Sequence, residues 1–123
     1  MPRSMFVIPK SQQAVFRASG LAELREVLLA HVRECFPKRC AALGADALPG
    51  HIEDGMRRAA AHGLRLERDI CAYVELMIVF GPDFEHESRF PWASPLTEAM
   101  GLDPSARIRA AFTGALAALS RNP

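Results

Sequence analysis

The stretch YVELMIVFGPDFEHESRFPWA, residues 73–93, changes character at Gly81. Before that glycine, Tyr73, Val74, Met77 and Phe80 share a helical face with Ile70, and Leu76, Ile78 and Val79 fill the opposite side. A helix that is apolar all round is normally enclosed by other helices. The segment from about Glu67 to Phe80 is therefore expected to be the central element of a helical core. After the glycine, Pro82 and Pro91 bracket a loop with Asp83, Glu85, His86 and Glu87 set among Phe84, Phe90 and Trp92. Loops this long in compact domains are pinned by their own side chains or carry function.

Outward from this segment, the other elements also read as helices. In LAELREVLLAHVREC, Leu21, Leu24, Leu28, Val32 and Cys35 recur at helical spacing while Glu23, Glu26, Arg33 and Glu34 take the wet side, and Pro37 ends the run near Phe36. A short helical piece follows to Gly44. In DALPGHIEDGMRRAAAHGL, Pro49 suits a first turn, and Ile52, Met56, Ala59, Ala60 and Gly63 form a stripe of mostly small side chains that lets another helix approach closely. Gly63 followed by Leu64 matches a left-handed C-terminal cap with its hydrophobic contact. In LDPSARIRAAFTGALAAL, Asp103 is placed as the cap and Pro104 at the first position, ahead of a stripe of Ile108, Ala111, Phe112, Ala115, Leu116 and Leu119. The apolar piece Met5–Ile8 is stopped by Pro9 and reads as an extended arm, after which Ser11 caps a short helix. No alternating strand pattern appears beyond the arm. The expected fold is all-α: one domain over residues 1–123, four main helices plus short ones, an extended arm at 1–10, and an ordered aromatic and acidic loop at 81–95.

The chain has 123 residues, half of them hydrophobic, and its 15 basic and 14 acidic side chains nearly cancel. That balance speaks for a globular domain and against a dedicated nucleic-acid binder. Residues 1–68 carry 11 bases and 7 acids, net +4, and residues 69–123 carry 4 and 7, net −3, an asymmetry that orients a partner without defining one. The longest apolar run, Leu76–Phe80, is far shorter than the roughly 20 residues that span a bilayer, so no membrane segment is expected. Three cysteines and no secretory leader fit reduced thiols in a cytoplasm.

His31, Cys35, Cys40 and His51 lie near one another, yet their spacing matches no closed zinc pattern, and Cys35 also belongs to an apolar stripe. Cys71 follows Arg68 near a helix start, but the sequence places no histidine beside it, so a packed structural cysteine is the better reading. The acids beside histidines in HIED (51–54) and DFEHE (83–87) are raw material for acid–base work, although first-turn acids answer a helix dipole and loop acids are usually solvated. Arg57, Arg58 and His62 are read as a helix's wet face. No catalytic residue, cofactor site or metal site is expected. Partner contact is the remaining use for the loop, with Phe84, Phe90 and Trp92 as anchors and Asp83, Glu85 and Glu87 as an acidic rim; Phe6 and Ile8 of the arm are the second choice. An extended arm can dock on its own body or across two copies, so a homo-oligomer is compatible with the sequence.

The runs FPKRC (36–40) and AAAHGLRLERDICAYVELMIVFGPDFEHESRFPWA (59–93) resemble a family of small uncharacterised helical bacterial proteins encoded beside type VI secretion effector, spike and PAAR-tip genes. The matching elements are Phe36 with Pro37, Gly63 with Leu64, Asp69 with Ile70, Phe80 with Gly81, Phe84, and Pro91 to Ala93, and MFVIPKSQQAVF (5–16) is similar to that family's start. These are packing signatures, with no catalytic motif among them. The resemblance implies a non-enzymatic adaptor or co-chaperone for a secretion effector or its loading protein. An immunity protein that plugs a toxin with Asp83 to Glu87 is the alternative, and a small metal- or thiol-dependent enzyme the second. Arg65 and Leu66 depart from the pattern where a Ser or Thr cap is expected, which leaves the start of the central helix without its usual support.

Overall fold

The computed structural model describes residues 20–98 and 101–121. The arm and its contact residues Phe6 and Ile8 lie outside the described residues. Among those described there is no strand; the chain is an all-α single domain in which six helices pack together. They are α1 (Leu21–Cys35), α2 (Pro37–Leu43), α3 (Leu48–Ala61), α4 (Glu67–Phe80), the four-residue α5 (Ser94–Thr97) and α6 (Pro104–Arg121). The loop after α4 is shaped by two 3-10 turns, Phe84–His86 and Pro91–Ala93.

Helix α4 is the centre, as its composition requires. Every residue from Asp69 to Ile78 is buried, and α1, α2, α3, α6 and the first 3-10 turn all pack on it. Its amino end has no side-chain cap on Leu66. Glu67 and Asp69 in the first turn meet the positive end of the helix dipole, and the Ser105 hydroxyl donates to the buried Asp69 carboxylate, so α6 ties down the start of α4.

The helix ends follow local chemistry. Gly63 has φ +83°, Leu64 N–H bonds the Ala59 carbonyl and Gly63 N–H that of Ala60, which is the Schellman arrangement, and Leu64 is buried. At α6, the Asp103 carboxylate accepts from Ala106 N–H at 2.8 Å with Pro104 at the first position.

Three stripes differ from their sequence reading. On α3 the buried residues are Leu48, Ile52, Gly55 and Ala59, whereas Met56 is half-buried and Ala60 exposed. Gly55 decides the rotation: a Cβ there would stand 3.0 Å from Val74 Cγ2 and 3.1 Å from Met77 Cε, so the two helices touch most closely where a side chain is missing. On α1 the core face is Leu24, Leu28, Leu29 and Val32; Leu21, in the opening turn, is 66% exposed and Cys35 is half-buried. On α6, Ile108, Ala111, Phe112 and Ala115 are buried, but Leu116 and Leu119 are 43% and 40% exposed.

The other close approach is between α6 and the loop. A Cβ on Gly114 would lie 2.6 Å from Trp92 Cβ, so the α6 backbone rests directly on that residue. Gly114→Ala is expected to cost about 1–3 kcal/mol through overpacking, while Gly50→Ala, in a helix with open space around it, is expected to gain about 0.5–1 kcal/mol. Urea unfolding of both variants checks this; equal effects would remove the Trp92 contact from the account.

Candidate functional site

The loop after Gly81 is built inward. Phe84 is fully buried, stacked on Trp92 at 5.9 Å with 21° between planes, and 5.4 Å from Tyr73. Phe80 contacts Trp92 at 4.7 Å and Phe90 at 5.1 Å, and Phe90 meets Trp92 at 5.3 Å. Trp92 and Phe90 are half-buried, and the Arg89 guanidinium lies 4.7 Å over the Phe90 ring. Of the three aromatics expected as anchors, Phe84 is thus a core residue and the other two show only an edge.

The loop acids are committed to neighbours. Glu85 accepts from the Tyr73 hydroxyl on one oxygen and from His62 Nε2 on the other. Burial pushes the Glu85 carboxyl up, but the hydrogen bonds from His62 and Tyr73 outweigh it and hold the group below its ordinary value. Burial, and then the bond to Glu85, push the Tyr73 phenol up. Asp83, mostly exposed, lies 3.3 Å from Arg58, whose guanidinium also donates to the Pro82 carbonyl at 2.7 Å and meets Asp54 at 2.9 Å. Glu87 pairs with Arg89 at 2.6 Å. His62 and Arg58, read from sequence as a wet face, are the fasteners that hold the loop to α3.

A second polar pair was not singled out from sequence. Glu75, in the middle of α4, is wholly buried, and its Oε2 lies 3.3 Å from His31 Nε2 on α1. Cys35 Sγ is 3.8 Å from His31 Nδ1. Among the described residues Glu75 Oε1 has no hydrogen-bond partner. Burial raises the Glu75 carboxyl to about 7, against the opposing pull of His31. The signal was present in the sequence: Glu75 is the one acid within AYVELMIVF, a run with no wet face.

The thiols and metal candidates are arranged differently from a reactive site. Cys71 is fully buried, and burial followed by the charges of Glu75 and Glu67 push its thiol up, away from a poised thiolate. Cys40 is buried and donates to the Val32 carbonyl at 3.4 Å. Among the described residues no three His, Cys, Asp or Glu side chains converge as metal ligands, and no helix is long and apolar enough to cross a membrane.

Two of the grooves on the surface of the described residues are mostly apolar. One, of about 340 Å³, runs between α4 and α6 over Ala72, Ile108 and Phe112, with Leu116, Arg68 and Arg109 along its edges. The other, of about 680 Å³, lies between α1 and α3 over Met56, Leu64 and Ile70. No known protein-family model matches the chain, and no curated protein or solved structure matches it either.

The buried Glu75 makes a pH prediction. Its pKa is higher in the fold (about 7) than the ordinary 4.5, so the folded chain binds more protons between those values, and the stabilisation present at the acid end is lost as pH rises through them. Glu75→Gln keeps the shape without the charge. Between pH 5 and pH 8 the natural chain is expected to lose on the order of 2 kcal/mol more stability than the variant. Denaturant unfolding of both proteins at the two pH values measures this difference; parallel behaviour would mean that Glu75 titrates normally.

Proposed function

We propose that the chain is a non-enzymatic protein-interaction module, an accessory adaptor or co-chaperone that holds a type VI secretion effector or its loading protein. The observation that carries this reading is the surface left uncovered on α6. Leu116 and Leu119, 43% and 40% exposed, continue the stripe of Ile108 and Phe112 past the core, and Leu116 borders the groove between α4 and α6. Exposed apolar side chains grouped beside an apolar groove are what a docking surface offers. The secretion context comes from the family resemblance.

The polar clusters support a binding role in their own way. Both oxygens of Glu85 are taken up in fixing the loop, and Cys71 is held as a protonated core thiol. Of the loop residues first suggested for contact, Asp83, Glu87, Phe90 and Trp92 keep a solvent-facing part, while Phe84 and Glu85 hold the loop in place. The immunity reading needs an acidic plug with free carboxylates. Here Asp83 is engaged by Arg58, Glu85 by His62 and Tyr73, and Glu87 by Arg89, which favours the adaptor.

Co-expression with the products of the neighbouring genes, followed by affinity capture through moderate salt, tests the assignment. An effector or its loading protein is expected to be retained. Leu116→Lys combined with Leu119→Lys is expected to reduce retention about tenfold or more, and Asp83→Ala combined with Glu87→Ala to change it little. Rescue of cells from a toxic domain would move the assignment to immunity, and retention of none of these products would remove it.

A further inference from the structure

We propose that the chain's own residues Met5–Ile8 occupy the groove between α1 and α3 as an intramolecular strap, an inference that stands apart from the adaptor reading. The groove has accessible apolar walls. Leu21 is 66% exposed, Ala22 and Ala60 are exposed and Met56 is half-buried, above a floor of Leu64 and Ile70. A single exposed leucine needs no explanation, but four accessible apolar positions around one groove form a patch. Its volume of about 680 Å³ has room for several side chains.

The tether selects the occupant. Leu21 and Ala22, which line the groove, follow directly on Gly20, so the preceding segment joins the body at the groove's own edge. Residues 9–20 separate Ile8 from Leu21. As a coil they span about 20 Å end to end, and fully stretched about 40 Å, against about 22 Å for the whole of α1. Met5–Ile8 is thereby held near the groove at an effective concentration on the order of millimolar, which a second copy or a separate partner has to overcome with a stronger contact.

The chemistry of the segment fits. Within residues 1–19, Met5, Phe6, Val7 and Ile8 are the one run of four consecutive apolar side chains ahead of a proline, and the bases are Arg3, Lys10 and Arg17 with no acid. The groove's edges do not repel such a segment. Arg25 is shared by Glu26 and Glu53, and Arg57 pairs with Asp54, which sets three acids against the three lining arginines, Arg65 included. Near charge balance leaves apolar contact to decide. A strap in this place also spends Phe6 and Ile8 on the molecule's own body, so neither is left for a partner.

Trypsin tests this on the full chain, because Lys10 lies two residues beyond Ile8 and is cut only when the strap lets go. Phe6→Ser combined with Ile8→Ser is expected to speed cleavage after Lys10, identified by mass, about tenfold or more. Ala60→Lys, at an exposed helix position, is expected to do the same from the groove side, and Met56→Gln to act in the same direction. Leu116→Lys, on α6, is expected to leave the rate unchanged. Cleavage as fast in the natural chain as in the double-serine variant overturns the proposal. So does a double-serine effect that neither groove variant reproduces, which places the segment elsewhere. Protection that rises with protein concentration, alongside a dimer in sedimentation velocity, overturns it too by passing the strap to a second copy.

Discussion

Helix α4 has almost no face left for water, and its neighbours are arranged around that fact. Ten consecutive residues, Asp69 to Ile78, are buried, so helices are needed on several sides at once. Helix α3 comes close because Gly55 removes the side chain at the contact; α1 reaches Glu75 through His31; α2 packs on α4 as well; α6 reaches the amino end through Ser105 and Asp69. The carboxyl end needs a lid as well, and the loop supplies it with Phe84 and Trp92. Since each buried apolar side chain contributes about 1.5–3 kcal/mol, enclosing such a helix gives the domain a single connected core.

Glu75, wholly buried in α4, and Glu85, a half-buried residue of the loop, respond to similar surroundings in opposite directions. Both are enclosed and both face a histidine. Glu85 receives hydrogen bonds on both oxygens, from His62 and Tyr73, and these outweigh the penalty of burying its charge. Glu75 has His31 on one oxygen and no partner for the other among the described residues, and there burial wins. The difference separates a fastener from a titrating group: the ionised Glu85 holds the loop across the neutral range, whereas Glu75 changes charge within it.

Much of the fold was legible because it rests on local rules. The all-round apolar pattern marked α4, Gly63 with Leu64 marked the Schellman end of α3, and Asp103 with Pro104 marked the start of α6. Which face of α3 turned inward was not legible. Gly55 beats Met56 only because Val74 and Met77 stand opposite, and that pairing is tertiary. The loop's fasteners were hidden for the same reason: His62 and Glu85 are 23 residues apart, and the period of a helix says nothing about a histidine that finds its acid across a loop. Glu75 was the exception, since an acid inside a helix without a wet face is a burial signal in its own right.

The mismatch between α6 and its support explains why a surface is left over. Helix α6 has 18 residues against the 14 of α4, about 27 Å of helix against about 21 Å. A periodic apolar stripe extends as far as the sequence repeats it, but burial extends only as far as a neighbour reaches. Ile108, Ala111, Phe112 and Ala115 are buried, while Leu116 and Leu119 keep the pattern and stay exposed. An apolar stripe serves folding only where something covers it. Past that point Leu116 and Leu119 repeat the pattern at 43% and 40% exposure, so their apolar area adds little to the core.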